Sequence, residues 1–88
     1  MTNVNISAQE IAPLGGNTNG GFKLGIIDSA AKAAQNDTWT VTNASAIKFC
    51  IALDDSAGTL DENTISGNVI TLANASTGAT SALICYKP

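Results

Sequence analysis

The sequence predicts an all-β protein, a small antiparallel β-sandwich or barrel of about six to seven short strands with at most one short helix. Three observations predict this class. Short runs alternate apolar and polar residues with the period of two that places one set of side chains on each face of a strand. The runs are rich in Thr, Val and Ile, which favour strands, and polar breaks containing Gly, Asn and Ser separate them.

The strongest pattern lies in residues 38–53, TWTVTNASAIKFCIAL, which contain the only Trp of the chain. Two alternating runs flank Asn43-Ala44-Ser45, a segment with turn chemistry, and together they predict an antiparallel β-hairpin. Its apolar side chains and those of the later strands define the predicted core: Trp39, Val41, Ile47, Phe49, Ile51, Leu53, Ile70, Leu72 and Ile84.

The chain divides into an N-terminal segment and one domain. Residues 1–21 are predicted to form an extended arm and a Gly/Asn-rich loop, because Pro13 and the run GGNTNGG interrupt regular structure. Alternation at Val4 and Ile6 is compatible with one short edge strand. We expect this arm to be ordered mainly by contact with another subunit. Residues 22–88 are predicted to form a single β-domain.

The remaining elements of that domain follow in order. Residues 22–28 predict a strand with Phe22, Leu24 and Ile26 on one face. Residues 29–36, SAAKAAQN, fit a short helix or an extended crossing segment equally well. Residues 64–72 predict a hairpin that turns at Gly67-Asn68. Residues 81–87 are apolar on both faces, which is typical of a strand that is central or covered on both sides.

Charge and hydropathy exclude several partners. The chain has a net charge of −3, and its only basic residues are Lys23, Lys32, Lys48 and Lys87. Four scattered lysines do not neutralise a phosphate backbone, so we expect no nucleic-acid partner. No apolar run reaches the roughly 18 residues of a membrane span, and the N-terminus lacks the features of a secretory signal. We therefore expect no membrane partner and synthesis in a cytoplasm.

No catalytic, cofactor-binding or metal-binding residue is predicted. The chain has no His, so the common catalytic triads and imidazole metal ligands are absent. Cys50 and Cys85 lie in apolar strands, where buried thiols are favoured and a disulfide between neighbouring strands is the alternative. Four acidic residues fall within residues 54–63 without calcium-loop spacing, and a solvated loop is favoured: Asp54, Asp55, Asp61 and Glu62. A non-enzymatic protein without cofactors is the prediction.

Two segments carry a resemblance to a known class of proteins. In the order of their strands and turns and in short sequence motifs, these segments resemble small β-rich virion structural proteins of tailed bacteriophages. The segments are QNDTWTVTNASAIKFCIALDDSAG (35–58) and TISGNVITLANASTGATSALICYK (64–87). That class includes capsid decoration (cement) proteins and head-fibre components. The resemblance covers residues 35–87 and transfers no functional residue to this chain.

The resemblance implies a non-enzymatic virion structural protein, a capsid decoration protein that binds and stabilises the outer capsid lattice. Its partner would be the major capsid protein or another virion protein, and it would be made in the host cytoplasm and located in the virion. A chain of 88 residues also buries only a small core, which favours a homo-oligomer. The alternative is an adhesin-like or carbohydrate-binding β-module of a tail tip or cell surface. An exposed aromatic pair would favour that alternative, and a flat polar face would favour decoration.

Overall fold

A computed structural model describes residues 2–13 and 21–88, and these residues form nine strands and no helix. The strands are β1 (Asn3–Ile6), β2 (Gln9–Pro13), β3 (Lys23–Ala30), β4 (Asp37–Val41), β5 (Ala46–Asp54), β6 (Leu60–Asp61), β7 (Asn63–Ser66), β8 (Val69–Leu72) and β9 (Thr80–Lys87). They build a four-stranded sheet in the order β1-β4-β8-β7 and a five-stranded sheet in the order β2-β3-β9-β5-β6. The all-β prediction is confirmed.

Most neighbouring strands are antiparallel, and two local predictions are confirmed. Ser66 pairs with Val69 across the two-residue turn Gly67-Asn68, where Gly67 adopts the positive φ of 60° that such a turn needs. β9 lies between β3 and β5, so the strand that is apolar on both faces is central in its sheet. One pair departs from the antiparallel prediction, because β1 runs parallel to β4.

The predicted hairpin over residues 38–53 is wrong. β4 belongs to the four-stranded sheet and β5 to the five-stranded sheet, so residues 42–45 cross from one sheet to the other. The two strands turn their apolar sides towards a common core and do not pair edge to edge, and both Trp39 and Ile47 are members of that core. The alternation of apolar and polar residues is the same whether two strands pair as a hairpin or lie in different sheets and form an arch. It specifies which face of a sheet each side chain occupies and not which strand lies beside it.

The Asn43 side chain joins the crossing at residues 42–45 to a second segment that crosses between the sheets. The link between β1 and β2 also passes between the sheets, and its Ala8 is buried. The Asn43 side chain accepts a hydrogen bond from Ala8 N at 2.9 Å and donates one to Ala8 O at 2.8 Å. One amide thereby satisfies both backbone groups of a residue that pairs with neither sheet, which holds the two crossings side by side.

Six of the nine predicted core residues are buried: Trp39, Val41, Ile47, Ile70, Leu72 and Ile84. The other three predictions are wrong. Phe49, Ile51 and Leu53 are 40%, 47% and 40% exposed and lie on the outer side of the five-stranded sheet.

A β-bulge at Lys48 explains this error. Ile47 pairs with Tyr86 and Phe49 pairs with Cys85, so Lys48 is an extra residue on β5. Each inserted residue reverses which side chains face inward along the rest of the strand. Beyond the bulge, Ala52 and Asp54 are therefore buried, and the larger apolar residues point outward.

Residues 3–13 are strands of both sheets and not a projecting arm. β1 pairs with β4 along four residues, and β2 pairs with β3, with a bulge between Glu10 and Ala12. Val4 and Ile6 pack against the core, so the expected edge strand is present. These strands are ordered by contacts within the chain, which differs from the expectation of ordering by a neighbour. The glycine-rich part of the predicted arm, residues 14–20, lies outside the described residues.

Two adjacent substitutions test whether β1 is integral. We expect Ile6→Asp to unfold the protein or lower its melting temperature strongly, because it places a charge against the core. Asn5→Asp, the matched control on the outer side of the same strand, should melt close to the parent protein. Thermal unfolding followed by circular dichroism gives the comparison. If both variants melt like the parent, β1 is dispensable and the arm description is correct.

Residues 29–36 contain no helix, which settles the alternative left open by the sequence in favour of the crossing segment. Ser29 and Asn36 have positive φ angles of 52° and 66°, which no α-helix contains. The Asp37 carboxylate accepts hydrogen bonds from the backbone N–H groups of Thr2, Ala33 and Ala34 at 2.7 to 2.9 Å. These bonds replace helical ones and tie the crossing to the N-terminus.

A buried ion pair joins this crossing to β6, an edge strand of the five-stranded sheet. Lys32 Nζ donates to Asp61 Oδ2 at 2.5 Å and to Asn74 O at 2.6 Å, and both charged side chains are 1% exposed or less. Asn74 N donates in turn to Asp61 Oδ1 at 3.0 Å. Each charge is therefore paired and hydrogen-bonded, the condition under which burial of charges is tolerated.

Candidate functional site

The outer face of the four-stranded sheet is polar and carries no charge. Register alignment places two rows of side chains across it, Asn3-Thr38-Thr71-Thr64 and Asn5-Thr40-Val69-Ser66. Asn3 Oδ1 accepts hydrogen bonds from Thr38 Oγ1 at 2.8 Å and Thr40 Oγ1 at 2.9 Å. We call these eight residues the polar face. Its composition is that of a sheet surface adapted to water.

The outer face of the five-stranded sheet has the opposite chemistry. Among the described residues, every large apolar side chain with substantial exposure belongs to this sheet. We call seven outward residues of this sheet the apolar face: Leu24, Ile26, Phe49, Ile51, Leu53, Leu60 and Leu83. No described element covers it. Because exposed apolar patches are typical of interaction surfaces, the apolar face is the candidate functional site.

Strand register makes the middle of the apolar face continuous. Ile26 pairs with Leu83, and Leu83 pairs with Ile51, so three apolar side chains form one row across the three central strands. A shallow cavity of about 300 Å³ opens here, lined by Ile26, Ile51, Leu53, Ser81, Ala82 and Leu83. Leu53 pairs with Leu60 on β6, which extends the patch towards the edge of the sheet.

The two ends of the apolar face carry opposite charges. At one end, Lys48 in the bulge lies near Lys87, the residue that pairs with Ala46. The Lys48 ammonium sits 5.3 Å from the centroid of the Phe22 ring. Neither of these lysines has a carboxylate partner within the described part of the chain. At the other end, Asp28 follows Ile27 in β3, and Asp55 is the first residue after β5.

Serine hydroxyls hold the acidic end in place. Ser29 Oγ and Ser81 Oγ each donate to the Asp55 carboxylate at 2.6 Å, and Ser29 Oγ lies 3.3 Å from Asp28 Oδ1. The hydrogen bond from Ser29, followed by that from Ser81, lowers the pKa of Asp55. This carboxylate is consequently ionised at neutral pH, and its negative charge is fixed at the end of the sheet.

The other acidic residues of the predicted solvated loop have structural roles. Asp54 is buried and accepts hydrogen bonds from Ser56 N, Ser56 Oγ and Ala57 N, which closes the turn after β5. Asp61 forms the buried pair with Lys32. The expectation of a solvated loop is therefore wrong for these two residues, whereas Glu62 is exposed. The sequence contained no signal for the Lys32–Asp61 pair, because its members are 29 positions apart in the chain.

Acid is expected to destabilise the protein through these carboxylates. The pKa of Asp37 is lowered mainly by the Thr2 N–H, that of Asp54 by the Ser56 hydroxyl, and that of Asp55 by the Ser29 hydroxyl. A carboxyl whose pKa is lower in the folded than in the unfolded state contributes stability above its unfolded pKa of about 3.9. That contribution is lost as pH falls towards the folded pKa.

We therefore expect the urea midpoint of unfolding to fall between about pH 5 and pH 2. Asp55→Asn, which removes one of the three titrating groups, should reduce the size of this fall. Urea titrations at several pH values in this range measure both. A protein that becomes more stable on acidification would contradict the hydrogen-bonding pattern of the three carboxylates.

The two cysteines are free thiols, as the favoured interpretation predicts. Cys85 pairs with Phe49, and Cys50 pairs with Ile84, so the two cysteines lie near each other in the sheet. Their side chains point to opposite faces, because Cys50 packs against the core side and Cys85 follows the outward alternation of Leu83. Burial, with a smaller effect of the Asp61 charge, raises the pKa of Cys50 to about 12 and makes it a poor nucleophile.

The described residues contain no group of three or more His, Cys, Asp or Glu side chains that could hold a metal ion. In the same residues, no helix is long and apolar enough to cross a membrane. Comparisons with protein-family models, curated proteins and solved structures gave no match.

Proposed function

We propose that this protein is a non-enzymatic virion structural protein, a capsid decoration protein that binds and stabilises the outer capsid lattice. The observation that carries the proposal is the exposed apolar face on a small two-sheet body. Enzyme sites are concave and contain convergent polar groups, whereas the apolar face is open and Ser81 is the one polar residue that lines its shallow cavity. Such a surface suits association with other protein.

The opposite surface also fits a layer on a particle. The polar face is uncharged, and Asn3 accepts hydrogen bonds from Thr38 and Thr40 within it, so it suits the solvent side of a layer whose apolar face lies on the lattice. A protein that binds through one surface and turns a neutral surface outward can coat a capsid without attracting a second capsid through charge. Many identical sites on a lattice then give strong total binding from modest contacts.

The positions of the aromatic residues favour decoration over a carbohydrate-binding module. Trp39 and Tyr86 are buried, so neither can stack on a sugar ring. Of the remaining aromatics, Phe49 is 40% exposed, whereas Phe22 is only partly exposed and lies beside the Lys48 ammonium, so one ring and not a pair is substantially exposed. A polysaccharide site built from exposed Trp or Tyr therefore has no residues to form it.

Cosedimentation with particles tests the proposal. The purified protein should bind assembled capsids of the phage that encodes it, but not unassembled capsid subunits, because several neighbouring subunits would form its site. Binding should weaken only modestly with salt, since few charges contribute.

Two substitutions make this test specific. Ile51→Asp, which places a charge on the apolar face, should greatly reduce binding. Thr64→Asp is the matched control, because it places the same charge on the exposed edge of the polar face. Equal loss with both variants, or binding to polysaccharide and not to capsids, would contradict the proposal and favour the adhesin-like alternative.

A further inference from the structure

We propose that the apolar face binds the same face of a second copy of this chain, with the strands of the two copies antiparallel. The product is a two-fold symmetric dimer in which two five-stranded sheets pack face to face. This inference goes beyond the proposed function because it concerns the protein free in solution. A second copy would there cover the face that the proposed function assigns to the capsid, so dimerisation and capsid binding would compete for that face.

The charge distribution selects a second copy as the partner. Lys48 and Lys87 lie at one end of the apolar face, and Asp28 and Asp55 lie at the other, about 20 Å away along the strands. A surface with a positive end and a negative end is complementary to itself when one copy is turned end for end. The apolar row between the ends contains no charge that dimerisation would bury without a partner.

Symmetry allows only certain arrangements of two identical faces. A two-fold axis that relates faces packed on each other must lie in the plane between them. If the axis follows the strands, lysines oppose lysines and aspartates oppose aspartates. If it runs across the strands, each lysine end opposes an aspartate end, and the attraction occurs twice. The second arrangement is the one we propose.

The row Ile26-Leu83-Ile51 would then lie along the axis. It runs across the strands near the middle of the face, so each of its residues would meet the equivalent region of the partner. Sheets that pack face to face are about 10 Å apart with their strands within about 30° of each other. The body measures 38 × 22 × 17 Å, which leaves a broad side large enough for a standard interface of about 800 Å² per partner.

Two serines hold the acidic end of the apolar face in position to pair with the lysines of a second copy. Ser29 and Ser81 restrain the Asp55 carboxylate before any association, so little side-chain freedom is lost there on binding. Lys48 is restrained in turn by its contact with the Phe22 ring. One charged side chain at each end, Asp55 and Lys48, is therefore restrained within one chain, which lowers the entropic cost of pairing the ends.

Sedimentation equilibrium of the purified full-length chain tests the dimer. The parent protein should sediment as a monomer–dimer equilibrium, and Ile51→Asp should weaken dimerisation by roughly 30-fold or more, since it brings two charges together at the axis. Thr64→Asp should dimerise like the parent. Circular dichroism confirms that each variant is folded. A folded parent that remains monomeric at all concentrations overturns the inference.

Charge reversal tests the orientation. At low salt, Lys48→Glu alone and Asp55→Lys alone should each weaken the dimer by about tenfold, because Lys48 and Asp55 lie at opposite ends of β5 and each reversal creates two like-charged contacts. The double variant Lys48→Glu/Asp55→Lys should recover most of the loss, since the reversed charges again complement each other. Tighter dimers with either single reversal would overturn the antiparallel arrangement.

These results are separable from the proposed function. A parent protein that is monomeric in solution yet binds capsids overturns the dimer and leaves decoration standing. A dimer that does not bind capsids supports the inference and removes the proposed function. If Ile51→Asp loses both dimerisation and capsid binding while Thr64→Asp retains both, the dimer and the proposed function are supported together.

Discussion

Replacing Lys32 with methionine is expected to lower the free energy of unfolding by about 3 to 5 kcal/mol. The substitution leaves the Asp61 carboxylate without its ion-pair partner in a site where its side chain is 1% exposed. It also removes the hydrogen bond from Lys32 to Asn74 O. A domain of this size has a total stability of only about 4 to 13 kcal/mol, so this single change endangers folding.

The double variant Lys32→Met/Asp61→Leu separates the cost of an orphaned charge from that of the lost contact. It should be clearly more stable than Lys32→Met, because no unpaired charge remains in the core. Lys23→Met, which breaks the exposed pair with Glu10, is the control and should leave the urea unfolding curve almost unchanged. A double variant no more stable than Lys32→Met would contradict this explanation.

Trp39→Ala is expected to destabilise the protein by about 3 to 5 kcal/mol, and Phe49→Ala by only about 1 to 2 kcal/mol. Trp39 is fully buried, and its indole N–H donates to Ala31 O at 3.1 Å, so alanine leaves both a cavity and an unpaired carbonyl. Phe49 lies on the outer side of β5 and already exposes much of its ring.

This contrast tests the reversal of faces at the Lys48 bulge. Chemical denaturation of the two variants, compared with the parent at a protein concentration that keeps them monomeric, measures the two costs. Equal destabilisation, or a larger loss for Phe49→Ala, would place Phe49 in the core as the sequence pattern suggested. It would also remove an aromatic residue from the apolar face.

Local features of the fold could be predicted from the sequence. Alternation located β3, β4, β8 and β9, and the Gly67-Asn68 turn fixed a hairpin because its requirement for positive φ is local. The pairing of β4 and β5 with different sheets could not be predicted in this way. It depends on which faces meet across the core, and the same alternation serves a hairpin and an arch.

The apolar face left a partial signal in the sequence. The segments FCIAL and LICY are apolar on both faces, and only one face of each strand can enter the core of a two-sheet protein. The bulge at Lys48 decided which face that was, and one inserted residue gives no pattern of its own. The positive and negative ends of the face arise from strand direction, because Lys48 and Asp55 become opposite ends once β5 is extended.

Polar alternation was a more reliable guide. Thr38 and Thr40 alternate with Trp39 and Val41, and Asn3 and Asn5 alternate with Val4 and Ile6, with no bulge in either strand. The polar face follows directly from these two segments. What the sequence did not indicate was that β1 would lie beside β4 in a parallel pair, since no local feature specifies strand direction.

Heat-induced genome release from phage particles tests the central claim most directly. Particles stripped of this protein should release their genome at a lower temperature than particles to which it is added back. A protein that binds only the intact lattice stabilises it by about 2.7 kcal/mol per site at a hundred times Kd, summed over many sites. Thr64→Asp should restore stability and Ile51→Asp should not. An unchanged release temperature at saturating parent protein would contradict a role in capsid stabilisation.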